Sequence, residues 1–161
     1  MSNLVIFLGP PGAGKGTQAV TIAKEKNLAH ISTGDMLREH VSNETELGKI
    51  AKTLLDEGKL VPDSLVIEML QERLLSHDCI NGVILDGFPR TIAQAESLDN
   101  IGDEFSISKV IVFEADRDEL IKRIINRGET SGRSDDTEES VRVRLEVYEK
   151  DTAPLIKYYE Q

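Results

Sequence analysis

One segment limits the fold of this chain more than any other. The apolar run Leu4, Val5, Ile6, Phe7 and Leu8 leads directly into Gly9, Pro10, Pro11, Gly12, Ala13, Gly14, Lys15, Gly16 and Thr17. A strand that ends in a glycine-rich turn with a lysine, and then opens into a helical segment, has the GxxxxGK spacing of a phosphate-binding loop. Gly12, Gly14 and Gly16 allow conformations that turn successive N–H groups inward. The result is a nest for phosphate oxygens at a helix N-terminus, where the dipole also favours an anion. Lys15 adds a full positive charge. The residue after it is Gly16, so the hydroxyl comes one place later, at Thr17. Thr17 is therefore expected to meet Mg2+ through water rather than directly.

The rest of the chain repeats this strand-then-helix rhythm. Short β-rich runs at 4–8, 28–32, 83–86 and 109–114 alternate with helical periodicity, which predicts βαβ units and a parallel sheet. The first and third runs are almost wholly apolar, as strands covered on both faces are, and are expected at the centre. Between the second and third runs lie helical segments at 35–41, 46–56 and 63–75, too much chain for one crossover helix, so a substrate flap is expected there. A helix at 118–127, a polar loop GETSGRSDD and a last helix through Tyr148 follow. Asp136 and Glu139 have capping-box spacing for that last helix, and Pro154 is expected to kink or restart it. Asp86, ending the run GVILDG, is placed to organise Mg2+ beside the loop, often through water; its alternative use is as a helix cap.

Composition narrows the function further. With 161 residues, 39% of them hydrophobic, the chain suits one compact domain. No run approaches the ~18 apolar residues of a membrane span, and the N-terminus lacks the marks of a signal peptide, so a cytoplasmic protein without membrane partners is expected. A net charge of −10 opposes binding to nucleic acid, so phosphate chemistry must rest on a local basic cluster. The single Cys79, with no Cys or His cluster beside it, implies neither a disulfide nor zinc. His30, His40 and His77 are dispersed and are read as surface or core residues. Tyr148, Tyr158 and Tyr159 are expected to pack the last helix down.

Six blocks in order carry a resemblance: GPPGAGKGTQ, STGDMLR at 32–38, GKLVPD at 58–63, LDGFPRT at 85–91, RGETSGRSDD at 127–136 and VRVRLEVY from Val141. They resemble the adenylate kinases, of the short-lid type, across almost the whole chain. The resemblance implies a three-layer α/β P-loop NTPase fold with strand order 2-3-1-4, and the reaction ATP·Mg2+ + AMP ⇌ 2 ADP in a monomer. It implies one domain over 1–161, with an AMP-binding insertion at 32–61 and a short lid loop at 127–136. The family continues beyond the YYEQ position into an edge strand and a last helix that touches the ATP adenine. The chain is therefore expected to lack them, and with them that contact to the ATP adenine.

The same resemblance distributes roles. ATP would lie on Gly12, Ala13, Gly14, Lys15, Gly16 and Thr17, with Arg123 and Arg127, which share a helix face. AMP would meet Thr33 at its base, Arg38 at its α-phosphate and Lys59, Leu60 and Val61 at base and ribose. Gly87, Phe88, Pro89 and Arg90 would line the same pocket, with Arg90 on phosphate and Gln94 on the adenine edge. Arg133 and Arg144 would complete the clamp on the transferred group, beside Lys15, Arg90 and Arg123. In their bland readings Arg38 is an exposed helix residue, and Arg123 and Arg127 complement a helix dipole. No catalytic base is needed, since phosphoryl transfer depends on positioning and charge stabilisation. A short lid would close by a small loop motion, excluding water. Two rivals remain. A UMP/CMP kinase usually has Ala at the Thr33 position and an Asn-rich segment after FPR. A P-loop switch without kinase turnover would, as a GTPase, need an NKxD motif, which is missing.

Overall fold

The computed structural model describes residues 2–131 and 137–160, apart from the side chains of 130 and 131. The described elements are β1 (Ser2–Leu8), α1 (Lys15–Lys26), β2 (Ala29–Ser32), α2 (Thr33–Ser42), α3 (Glu46–Asp56), α4 (Asp63–Leu74), β3 (Val83–Asp86), α5 (Ile92–Asp99), β4 (Phe105–Val112), α6 (Arg117–Ser131), α7 (Glu138–Val147) and α8 (Pro154–Tyr159). A 3-10 turn, His77–Cys79, precedes β3, and a π-helical turn, Tyr148–Thr152, joins α7 to α8.

The strands form one parallel sheet in the order β2-β3-β1-β4, as the family resemblance implies. β1 and β3 are central because both of their faces can be buried. Leu4, Ile6 and Leu8 of β1 join Ile31, Val83 and Leu85 in the larger core with α2, α4, α5 and α8. Phe7 and Ile84 face the other way, onto Ala19 and Ala23 of α1. Small alanines let α1 lie close to the sheet, and this fixes where its N-terminus points. A third cluster, Leu120, Ile124, Val141 and Leu145, zips α6 to α7. The result is three layers, with every strand's C-terminal end on one side.

Several boundaries differ from the sequence expectation. β4 begins at Phe105 and ends at Val112 because β1 itself begins at Ser2, and Ser2 and Leu4 pair with Phe105 and Ile107. α6 does not stop at Arg127 but runs through Gly128 to Ser131. A glycine weakens a helix by only about 1 kcal/mol relative to alanine, and Leu120 and Ile124 already anchor this one. α7 is capped by Thr137, whose Oγ1 accepts from the Ser140 N–H at 3.2 Å. Asp136, the expected cap, lies outside the described residues. Pro154 restarts the helix as expected. The preceding turn widens so that the Ala153 N–H reaches the Tyr148 carbonyl at 2.7 Å, five residues back. Among the described residues, no helix is long and apolar enough to cross a membrane.

Candidate functional site

A cleft of about 600 Å3 opens along the C-terminal ends of the strands. This is where ligands of open parallel sheets bind. Its floor is the loop between β1 and α1. Gly12 (φ 83°) and Gly14 (φ 93°) take left-handed conformations that only glycine adopts without strain. A Cβ on Gly12 would lie 2.9 Å from Ile124 Cγ1, so α6 rests on the loop, whereas a Cβ on Gly14 would meet open space on the cleft side. Gly16 differs from the expectation: it lies inside α1 and has no positive φ, and its value is proximity. A Cβ there would sit 3.5 Å from Asp86 Oδ2.

Lys15 folds back over the loop, its Nζ donating to the Gly9 and Pro10 carbonyls at 2.9 and 3.1 Å. The residue is half-buried on the cleft wall. Loss of water around the ammonium lowers its pKa from 10.5 to about 8. The Asp86 carboxylate acts against this drop, and the positive charges of Arg90, Arg144 and Arg127 add to it. The structure therefore brings residues from β3, α6, α7 and the loop after β3 around one amine.

Asp86 ends β3 as expected and is buried, with His30 Nε2 3.2 Å from its Oδ2. His30 was expected to be an ordinary surface or core residue. It lines the cleft instead. A signal for this existed in the alternation of β2, where Ala29 and Ile31 face the larger core and send His30 to the α1 side with Asp86.

Arg90 is held at three points. Its N–H donates to Gln94 Oε1 at 2.7 Å, its Nε donates to the Gly87 carbonyl at 2.7 Å, and its own carbonyl accepts from Thr152 Oγ1 at 2.7 Å. Nothing in the local sequence points to Thr152, which arrives through the π-helical turn. Gly87, Pro89, Arg38, Arg123, Arg127, Arg144, Leu60 and Thr17 also line the cleft. Arg38 pairs with Asp35, while Arg123 reaches Glu119 at 3.2 Å and the Gly12 carbonyl at 3.4 Å.

Other predicted residues stand further back. Thr33 is buried and donates to the Gly87 carbonyl at 2.8 Å. Gln94 is only 2% exposed, and its Nε2 donates to Asp63 Oδ1 at 2.9 Å. Phe88 and Val61 belong to the core, and Lys59 pairs with Glu57 at 2.8 Å. Ala13 packs beside the α6–α7 cluster. Arg133 lies outside the described residues.

Asp86 and Thr17 present a carboxylate and a hydroxyl on the cleft wall, hard oxygen donors of the kind that Mg2+ takes alongside phosphate oxygens and water. Among the described residues, no group of three or more His, Cys, Asp or Glu is placed to hold a metal by itself.

Comparison with known proteins agrees with this architecture. The model of the family described as adenylate kinase matches residues 7–161. The chain is 51% identical over 162 residues to an adenylate kinase of Thermus thermophilus, covering 99% of this chain and 84% of that protein. It is 52% identical over 161 residues to one from Parabacteroides distasonis, with 99% and 84% covered. It is also 47% identical to one from Caldicellulosiruptor bescii over 185 aligned positions, 97% of this chain and 86% of that protein. That alignment is longer than the 161 residues here, so the Caldicellulosiruptor protein carries inserted residues that this chain lacks. A phosphate loop, a strand-end carboxylate and a ring of arginines on this sheet order, matched over nearly the full length, show that the chain belongs to the adenylate kinase family.

Proposed function

We propose that the cleft transfers the γ-phosphoryl group of ATP to AMP, reversibly, giving two ADP. The observation that carries this reading is the convergence of Lys15, Arg38, Arg90, Arg123, Arg127 and Arg144 on one cavity of about 600 Å3, in a chain whose net charge is −10. Such a local excess of cations fits a triphosphate and a monophosphate held side by side.

The donor phosphates lie on the Gly12–Gly16 backbone and Lys15, with Arg123 and Arg127 alongside. Asp86 and Thr17 would hold Mg2+ through water, and the ion would there neutralise charge on the ATP phosphates. The acceptor phosphate lies between Arg38, Arg90 and Arg144, with Arg133 completing the clamp. An oxygen of the AMP phosphate attacks the γ-phosphorus as its bond to the β-phosphate oxygen breaks. Lys15 and the arginines stabilise charge on the transferring group. Their forks suit phosphate because each donates two parallel hydrogen bonds. Residues 32–61 form the acceptor flap and residues 127–136 the lid. Thr33 and Val61 shape the base pocket from behind Gly87 and Leu60, and Lys59 meets base and ribose through its backbone. Gln94 reads the adenine by exchanging its bond to Asp63 for the base.

The test is ADP formation from ATP alone and from ATP with AMP, CMP or UMP. A site that hydrogen-bonds its base leaves buried groups unpaired with the wrong one, so AMP should lead in kcat/KM by about 100-fold or more. Equal rates with UMP would remove the adenylate reading.

A further inference from the structure

The C-terminus of α3 meets the N-terminus of α7 in a way the phosphate chemistry does not require. The last carbonyls of a helix have no partners within it. In α3, those of Thr53, Leu54 and Leu55 accept from the Glu57, Lys59 and Gly58 N–H groups as the chain turns away. The Asp56 carbonyl accepts from the Ser140 hydroxyl, in the first turn of α7. Ser140 is 4% exposed. Two residues on from Asp56, Gly58 (φ 76°) lies so close to α7 that a Cβ would stand 2.4 Å from the Ser140 carbonyl oxygen and 3.2 Å from the Arg144 nitrogen. The contact also sets the negative end of one helix against the positive end of another.

We propose that this contact is a latch, with Ser140 and Gly58 as positioning residues that hold the inserted segment closed over the acceptor nucleotide. The proposal rests on the reading of residues 32–61 as the acceptor flap. Gly58, Leu60 and Arg144 all line the cleft. Seating Gly58 on the Ser140–Arg144 turn therefore brings the flap and a phosphate-facing arginine into register. The latch is also easy to release. Val141 and Leu145, the buried apolar residues of α7, pack on α6, so parting α3 from α7 gives up a hydrogen bond and little apolar contact. A device of this strength suits a flap that opens in every cycle. It predicts an effect on acceptor affinity with little effect on the donor, which lies across the cleft on the phosphate loop.

The experiment compares wild type, Ser140→Ala, Ser140→Thr and Gly58→Ala. Velocities are measured over AMP at saturating ATP·Mg2+ and over ATP at saturating AMP, with calorimetric titration of AMP alone. Losing one hydrogen bond should raise the AMP KM and Kd of Ser140→Ala roughly 3- to 10-fold, with the ATP KM changed by less than about twofold. Ser140→Thr, which keeps the hydroxyl, should stay near wild type, and Gly58→Ala should shift AMP in the same direction and further. AMP and ATP constants that move together, constants that do not move, or a Ser140→Thr variant as weak as Ser140→Ala would each overturn the latch while wild-type turnover stands. A wild type that makes no ADP from ATP and AMP would overturn the acceptor reading and the latch with it.

Discussion

Burial of Lys15, helped by the positive charges of Arg90, Arg144 and Arg127, makes the donor site sensitive to alkaline pH. With a pKa of about 8 in the nucleotide-free protein, Lys15 is roughly nine-tenths protonated at pH 7 and one-tenth at pH 9. If only the ammonium engages the triphosphate, kcat/KM for ATP should fall about tenfold between those values, since this ratio reports the free enzyme. Phosphate beside the amine raises its proton affinity, so ATP binding above pH 8 should take up a proton, seen as a binding enthalpy that depends on the buffer's ionisation enthalpy. Stability follows the opposite sign. Between about 8 and 10.5 the unfolded chain keeps a proton that the folded chain has lost, so stability rises with pH across that window. Below it both states are protonated and the amine costs the fold a constant amount, at most about 3 kcal/mol. Lys15→Met should therefore lower kcat by about 100-fold or more, and should abolish this alkaline gain in denaturant stability relative to wild type. A flat kcat/KM to pH 9.5 would refute the reasoning, as would equal pH slopes of stability in the two proteins.

Two further outcomes follow from the packing. Thr152→Val keeps the shape but removes the donor to the Arg90 carbonyl; it should raise the AMP KM by roughly 3- to 10-fold in steady-state assays while the ATP KM holds. Ile124→Ala opens a cavity between α6 and α7, directly under Gly12; urea unfolding should show a loss of about 2–5 kcal/mol, and the ATP KM should rise as the loop loses its support.

The parts of this protein legible in its sequence are those whose chemistry is local. The phosphate loop follows from glycines and one lysine within nine residues, and the end of β3 at Asp86 follows from an apolar run that stops at a carboxylate. Both depend on neighbours along the chain, so both hold in the structure. The sheet order came from family resemblance, because nothing in a strand's own residues states which strand lies beside it. Helix ends were legible to within a few residues. DDT offers three adjacent capping residues, and α6 runs on past its glycine because packing on α7 outweighs a small local preference. Long-range placement only the tertiary structure decided. His30 and Asp86 are 56 positions apart and Thr152 and Arg90 are 62; they meet because parallel pairing and a π-helical turn bring them together. Gln94 and Thr33 stand behind the cleft wall because their polar groups are taken up by Asp63, Arg90 and Gly87. The low pKa of Lys15 is likewise a tertiary property. A lysine beside glycines is ordinary in the chain, and becomes a weakly held proton only when the fold removes its water and gathers Arg90, Arg144 and Arg127 around it.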